Sequence, residues 1–145
     1  MNFQFIPPGA SGDDIQLLRK KSECLMFDIK KIKSDGSFLI IDESFDFKLQ
    51  PLRLAVTKLN DIDRSWKILN DAYRRNTMII AGDSDVRSNP EIIRFLESQG
   101  VALLMVADTG DGFLSLESLT KSLTSLKFKS ILVEDRIDLI KEFTS

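Results

Sequence analysis

The sequence predicts a single α/β domain, residues 1–145, with three layers and a mainly parallel sheet. From Leu52 onward, short apolar runs alternate with helix-like segments, which is typical of strands joined by helical crossovers. The run 130–133 is apolar and β-branched after a helix-like segment, as in a buried parallel strand. A chain of 145 residues is also long enough to bury one core.

The N-terminal part contains a strand, a helix and two further apolar runs. Residues 2–6 alternate polar and apolar side chains and predict a short edge strand, which two prolines end. One of the two aspartates at 13–14 begins a helix whose basic residues gather near its end. Residues 24–29 predict a second strand, and residues 38–41 form another apolar run.

The remaining elements follow from apolar runs and helix signals. Asn89 and Pro90 mark the start of the clearest helix, Gly100 marks its end, and Ser115 can cap the next one. The predicted strands are 52–56, 77–81, 101–106 and 130–133, and the predicted helices are 61–73, 90–99, 115–126 and 135–143.

The composition excludes several function classes. The net charge of −2 gives no reason to expect a nucleic acid or an anionic membrane as partner, and no apolar run is long enough to span a bilayer. The chain has no histidine, which excludes His-based triads and the commonest zinc sites, and we predict no metal. The single cysteine, Cys24, lies in an apolar run and predicts a buried thiol in a reducing, cytoplasmic compartment.

Glu134 is the first candidate for chemistry, because it stands at the carboxyl end of the last predicted strand. Ligands of open α/β sheets bind beside such ends, where a solvated carboxylate can meet them. The alternative is that Glu134, Asp135 and Arg136 only begin a solvated helix.

Two loops offer weaker alternatives. Residues 82–88 follow a strand and precede a helix, so they could hold a nucleotide, although a turn with a helix cap is the simpler interpretation. Residues 108–112 resemble the start of a calcium loop but lack its closing glutamate.

Two stretches resemble one family, the reductase domain of bacterial and archaeal riboflavin biosynthesis, which has a dihydrofolate-reductase-like fold. Residues 14–39 are similar to the family's "LR…DAI…G..T…DDP.L" segment, and residues 51–56 to its "PLRVVLD" strand. Residues 77–134 form the second stretch, in which 114–134 are similar to "LDL..LL..L...GI.S.LVEGG". The resemblance spans residues 13–134 in register.

The resemblance implies a function. The family reduces the ribosylamino group of a pyrimidinone phosphate to a ribitylamino group with NADPH, so the implied partners are that small molecule, the cofactor and a second copy in a homodimer. By position, the residues implied to bind substrate are Arg19, Leu39 and Glu134, and those implied to contact NADPH are Lys31 and Asp35.

The sequence also supports an alternative without catalysis. Asp135 and Arg136 stand where the family has glycines that let the backbone approach the cofactor phosphate. A carboxylate and Cβ atoms would obstruct a dianion there. The alternative is therefore a non-catalytic member of the same fold that acts as a self-associating or regulatory binding module.

Overall fold

Within the residues that the structure describes, the sheet has six strands, and every pairing between them is parallel. The computed structural model describes residues 1–28, 30–31 and 50–144. The strand order is β1-β6-β2-β3-β4-β5, which confirms the predicted parallel sheet and places the N-terminal strand at an edge. The strands are β1 Asn2–Phe5, β2 Cys24–Asp28, β3 Leu52–Val56, β4 Thr77–Gly82, β5 Ala102–Val106 and β6 Ser130–Val133.

Helices cover both faces of the sheet and confirm the three layers. On one face, Leu119 and Leu123 of the last helix pack with Val133 of β6. On the other face, Leu96 packs with Ile79 of β4. Because neighbouring residues of a strand point to opposite faces, one apolar strand contributes side chains to the hydrophobic cores on both faces of the sheet. The helices whose bounds lie within the described residues are α1 Gly12–Lys21, α2 Asp83–Ser88, α3 Pro90–Gln99 and α4 Leu116–Ser125.

Side-chain caps fix the starts of α1 and α4. The Ser11 hydroxyl accepts from the Asp14 amide at 3.1 Å, and the Asp14 carboxylate accepts from the Ser11 amide at 3.3 Å, which completes a capping box. Ser115 caps α4 as predicted, because its hydroxyl accepts from the Ser118 amide at 3.1 Å. Each cap satisfies helix amides that would otherwise lack a partner.

The ends of α3 agree with the sequence, except for the role of Asn89. Pro90 begins the helix, and Gly100 ends it with a left-handed φ of 73°. The Asn89 side chain makes no cap, because its amide donates instead to the Asp85 carboxylate and carbonyl, both at 2.9 Å.

The predicted helix at 61–73 is wrong. Three short 3₁₀ turns occupy this region, at Leu59–Asp61, Lys67–Leu69 and Arg74–Asn76. The Asp63 carboxylate accepts from the Ser65 amide at 2.9 Å and also from its hydroxyl. Such local side-chain bonds offer the backbone an alternative to helical pairing.

The predicted terminal helix at 135–143 is also wrong, and only Lys141–Phe143 forms a 3₁₀ turn there. Asp135 adopts a left-handed φ of 68°, which a helix cannot include. The Ile137 amide donates to the Phe143 carbonyl at 2.8 Å, so the segment closes on itself as a loop.

Some predictions lie outside the described residues, among them the apolar run 38–41. In the part of the chain that the structure describes, no helix is long and apolar enough to cross a membrane. The limits of the domain, 1–145, stay a prediction.

Candidate functional site at the carboxyl edge of the sheet

The carboxyl ends of all six strands share one edge, because the strands run parallel. Two features lie along this edge. One is the corner that follows β6, where Glu134 lies, and the other is a cleft between the ends of β3, β4 and β5.

Arg19 and Glu134 meet in a buried, two-pronged ion pair. Arg19 Nη2 lies 2.5 Å from Glu134 Oε1, and Arg19 Nε donates to Glu134 Oε2 at 3.0 Å. Glu134 is fully buried and Arg19 is 5% exposed. The resemblance placed both residues in one site, and the structure brings them together across 115 positions of sequence.

The expectation of a solvated carboxylate at Glu134 is wrong. Val133 points into the core beneath α4, so the next side chain points to the opposite face. Arg19, near the end of α1, covers Glu134 there, and both carboxylate oxygens have a guanidinium partner. A buried charge requires such a partner. The implied role of this pair in substrate binding stays a prediction.

Two backbone amides of the turn after Glu134 donate hydrogen bonds to carboxylates. Asp135 has a left-handed φ of 68°, and its carboxylate accepts from the Arg136 amide at 2.8 Å. Two residues further on, the Asp138 amide donates to the Asp28 carboxylate at 3.1 Å. Two amides at this corner, those of Arg136 and Asp138, therefore already have carboxylate partners.

Charged side chains join this turn to the end of β2. Asp138 pairs with Lys30, and its second oxygen lies 3.2 Å from Arg136 Nε. The hydrogen bond from Lys30 lowers the pKa of Asp138 below its usual value. The Asp28 carboxylate also accepts from the Lys30 amide at 2.6 Å. Carboxylates and cations thus form a network at the surface of this corner.

The predicted cofactor residues are only partly covered by the structure. Lys31 follows Lys30 and is partly buried. Asp35 and Leu39 lie outside the described residues. The roles of Lys31 and Asp35 toward NADPH, and of Leu39 toward substrate, stay predictions.

The cleft at the ends of β3, β4 and β5 has a volume of about 620 Å³. Clefts of this size commonly hold a small organic ligand. Lys58 is exposed, is the one basic residue among the described lining residues, and makes no ion pair within the described chain. The lining residues are Thr57, Lys58, Asn60, Gly82, Ser84, Asp85, Ser88, Asn89, Asp108, Gly110, Gly112, Leu114 and Leu139.

Asp108 occupies the start of α2, where the sequence offered a nucleotide site at 82–88. Its carboxylate accepts from the Ser84 amide at 3.2 Å and also from the Ser84 hydroxyl, and the hydroxyl bond lowers the pKa of Asp108. A phosphate at this helix start would have to displace Asp108. The carboxylate approaches so closely that a Cβ on Gly82 would lie 2.1 Å from Asp108 Oδ1.

Sequence patterns alone did not find the cleft. Asp108 and Ser84 are 24 residues apart, and no local motif links them. The one usable signal was position, because Thr57, Gly82 and Asp108 each stand at or just past the end of a predicted strand. In the loop 108–112, whose start resembles a calcium loop, Asp108 accepts from Ser84 and Asp111 accepts from the Thr109 hydroxyl.

No protein-family model matches the sequence, and no curated protein matches it either. Solved structures do match the fold. RibD of Acinetobacter baumannii superposes with a TM-score of 0.64 at 16% identity, over 92% of this chain and 39% of that one. A pyrimidine reductase-like protein of Corynebacterium diphtheriae gives 0.63 at 13% identity, over 92% and 63%. The riboflavin biosynthesis reductase Rib7 of Saccharomyces cerevisiae gives 0.62 at 10% identity, over 91% and 58%.

The chain therefore has the dihydrofolate-reductase-like fold of the riboflavin reductases, as the resemblance predicts. Identities of 10–16% show the fold alone. The chain spans 39–63% of the length of these matching chains.

The corner after β6 does not fit the pyrophosphate of NADPH in the way that the resemblance implies. The Arg136 amide, which a phosphate would need, is bonded to the Asp135 carboxylate. A phosphate that bound this amide would have to displace the Asp135 carboxylate or lie next to it, and two like charges at hydrogen-bond distance repel each other strongly. We derive no chemical step through NADPH at this corner.

Proposed function

We propose that this chain is a non-catalytic binding module with the fold of the riboflavin reductases, and that it binds a small phosphorylated molecule in the cleft between β3, β4 and β5. One observation carries the non-catalytic part of this proposal. At the corner after β6, Arg19 satisfies Glu134, and Asp135 satisfies the Arg136 amide. The groups expected to contact substrate and cofactor there, the Glu134 carboxylate and the Arg136 amide, are therefore already bonded within the chain.

The chemistry of the cleft supports the ligand class. Lys58 supplies a cation without an ion-pair partner in the described chain, which suits a phosphate. Two carboxylates also line the cleft, and they accept from backbone amides: Asp85 from Leu59 and Asp108 from Ser84. A phosphate is therefore expected on the Lys58 side of the cleft, away from both carboxylates. Asn60 and Ser88 supply polar groups, and Leu114 and Leu139 supply apolar surface for a ring. A nucleotide or a pyrimidine phosphate combines these features.

Calorimetric titration of the full chain tests the binding. The probes are NADPH and the ribosylamino-pyrimidinone phosphate that the family reduces. We expect at least one phosphorylated probe to bind, and Lys58→Ala to weaken it roughly tenfold, as expected for loss of one charged contact. Lys67→Ala, an exposed lysine outside the cleft, is the matched control. Absence of binding at millimolar concentrations of both probes would contradict the proposal.

The second candidate is the NADPH-dependent reductase itself, acting on a ribosylamino-pyrimidinone phosphate. The fold likeness and the meeting of Arg19 with Glu134 favour it. This function requires Asp135 to release the Arg136 amide and the cofactor to enter the corner.

Oxidation of NADPH, followed by its absorbance with the pyrimidine substrate present, separates the two candidates. We expect no turnover by the natural chain. The double substitution Asp135→Gly with Arg136→Gly restores the family's glycines, and we expect it to raise NADPH affinity. The added glycine suits the left-handed φ of 68° at position 135. Turnover by the unmodified chain would overturn the non-catalytic proposal.

The proposal includes self-association into a homodimer, as the resemblance implies, in a cytoplasmic setting. The outer edges of β1 and β5 support it, because no other described strand covers them and an unpaired strand edge can pair with another chain. Sedimentation velocity of the full chain tests the oligomeric state.

A further inference from the structure

Asp85 joins two walls of the cleft that come from different parts of the sequence. Its Oδ2 accepts from the Leu59 amide at 2.7 Å, across 26 positions of the chain. Asp85 belongs to α2, after β4, whereas Leu59 belongs to the loop that follows β3. Lys58 and Asn60, the two neighbours of Leu59, both line the cleft, as Asp85 does. The hydrogen bond therefore holds the backbone directly beside the lysine.

Asn89 fixes the Asp85 carboxylate from the other side. Its side-chain amide donates to Asp85 Oδ1 and to the Asp85 carbonyl, each at 2.9 Å. The sequence predicted Asn89 as the cap of α3, and this contact is what its side chain makes instead. Both oxygens of the carboxylate thus have a partner, Leu59 on one and Asn89 on the other. A side chain held in this way offers the Leu59 amide an acceptor in a fixed position.

The backbone around Lys58 is fixed by further contacts. The Thr57 amide donates to the Ile80 carbonyl at 3.2 Å, next to the last pair of β3 with β4. The Thr57 hydroxyl donates to the Lys58 carbonyl at 3.0 Å. The Leu59 side chain is fully buried, whereas Lys58 is exposed. An ordered backbone therefore presents an exposed cation to the cleft.

We infer that Asp85 is a positioning residue of the cleft, which holds the loop 57–61 so that Lys58 meets the phosphate of the ligand. This inference rests on the proposed function and adds the residue through which Lys58 acts. Holding a binding group in place before the ligand arrives lowers the entropy that binding costs. Simple electrostatics predicts the opposite effect of Asp85, because a carboxylate near a phosphate repels it. The sign of the effect therefore separates the two roles.

Calorimetric titration of the full chain with NADPH and with the ribosylamino-pyrimidinone phosphate measures that sign. Asp85→Ala is expected to weaken the bound probe roughly tenfold, as Lys58→Ala does, although it removes a negative charge from the cleft. Asp85→Asn keeps an oxygen for the Leu59 amide and loses the charge, so it is expected to bind at least as tightly as the natural chain. Asp61→Ala is the matched control, since Asp61 is an exposed carboxylate of the same loop outside the cleft lining.

The double variant Lys58→Ala with Asp85→Ala tests whether Asp85 acts through Lys58. It is expected to bind no more weakly than Lys58→Ala alone, because no lysine is left to position. Losses that add up in the double variant would show that Asp85 acts by another route and would overturn the inference. Tighter binding by Asp85→Ala, or a tenfold loss in Asp85→Asn, would overturn it as well.

Hydrogen exchange of the Leu59 amide, measured without ligand, tests the anchoring itself. Asp85→Ala is expected to speed this exchange roughly tenfold or more, while the amides of β4 stay protected. Equal Leu59 exchange in the natural chain and in Asp85→Ala would overturn the inference. Asp85→Asn, which keeps an acceptor, is expected to retain slow exchange and serves for both measurements if Asp85→Ala does not fold.

The titration also keeps this inference distinct from the proposed function. Failure of both probes to bind the natural chain overturns the proposed function, and the positioning role with it. Binding that Lys58→Ala weakens and Asp85→Ala does not leaves the proposed function standing and overturns the role of Asp85 alone.

Discussion

At the scale of single residues, the Arg19–Glu134 pair decides what the corner can do. Both partners are almost entirely buried, and the pair is two-pronged. Removing one partner of a buried ion pair leaves an uncompensated charge, which costs far more than the pair itself contributes. The pair is therefore expected to keep the side chains of Arg19 and Glu134 in fixed positions.

Glu134→Gln is expected to lower the free energy of unfolding by about 3 kcal/mol, because Arg19 then lacks a buried counter-charge. Urea denaturation measures this loss. Glu117→Gln is the control, since Glu117 pairs with Lys121 on the exposed surface of α4 and should change stability by less than about 0.5 kcal/mol. A loss below about 1 kcal/mol for Glu134→Gln would show that the pair is not buried as described.

The sequence predicted that Arg19 and Glu134 belong to one site, but it did not predict that Glu134 is buried. Arg19 and Glu134 were both assigned to one site because their motifs resemble one family. The burial of Glu134 could not be predicted, because it depends on the Arg19 side chain, near the end of α1, reaching the carboxylate in the folded chain. Such a contact between distant segments has no local sequence pattern.

Gly82→Ala is expected to destabilise the chain by about 1–3 kcal/mol through overpacking. The new Cβ would lie 2.1 Å from Asp108 Oδ1 and 3.1 Å from Leu114 Cδ2, so the carboxylate has to leave Ser84. Thermal unfolding measures the effect, and adding Asp108→Ala to the same chain is expected to recover part of it.

Gly12→Ala serves as the control for this substitution, because nothing lies within 4 Å of the position of its added Cβ. If Gly82→Ala proves as neutral as Gly12→Ala, the close approach of Asp108 to β4 is wrong.

At the scale of elements, the segment between β3 and β4 shows where periodicity misleads. Ile68 and Leu69 of the predicted helix 61–73 are buried, yet the segment forms 3₁₀ turns. Arg53 of β3 is 2% exposed and holds this segment against the sheet. Its guanidinium donates to both Asp71 carboxylate oxygens at 2.9 Å and to the Ile68 carbonyl at 3.2 Å. A tertiary contact here overrides local helical preference.

Asp71→Ala is expected to cost about 3 kcal/mol, because the buried Arg53 loses its counter-charge. Hydrogen exchange should speed up most in residues 57–76, which Arg53 holds to the sheet. Asp61→Ala, at an exposed position in the same segment, is the control. Uniform exchange along this segment in both variants would contradict the role of Arg53.

At the scale of the whole molecule, the sequence was sufficient for the sheet and its layers, although the predicted helices 61–73 and 135–143 do not form. The described strands were all predicted, because buried parallel strands are short, apolar and regularly spaced. The three layers and the parallel direction followed from the alternation of elements. The closed corner and the cleft did not follow, because both are made by side chains from different loops that meet only in the folded chain.

The rate at which the Cys24 thiol is chemically labelled is expected to measure global unfolding of the sheet. Its thiol is fully buried in the interior strand β2, and burial raises its pKa to about 12. We expect a thiol reagent to label Cys24 only as fast as the chain unfolds globally, so urea should accelerate labelling in step with loss of the fold. Rapid labelling of the native chain would contradict the described burial.

The same shift gives a pH dependence. The unfolded thiol titrates near the ordinary pKa of 9.0, whereas the folded one retains its proton up to about 12. The folded state therefore binds more protons between these values, and the contribution of Cys24 to stability is present below pH 9.0 and is lost as pH rises toward 12. Cys24→Ala is expected to flatten this part of a urea-derived stability curve. An unchanged slope would show that the thiol does not titrate as described.

The position of β6 between β1 and β2 has a consequence for the order of folding. Asn2 pairs with Ser130, and β6 is the one described strand beside β1. Pairing between segments so far apart in sequence is slow, because closing a long loop costs chain entropy. Docking of β1 is therefore expected to be among the last steps of refolding, after the neighbouring strands β2, β3 and β4 have paired.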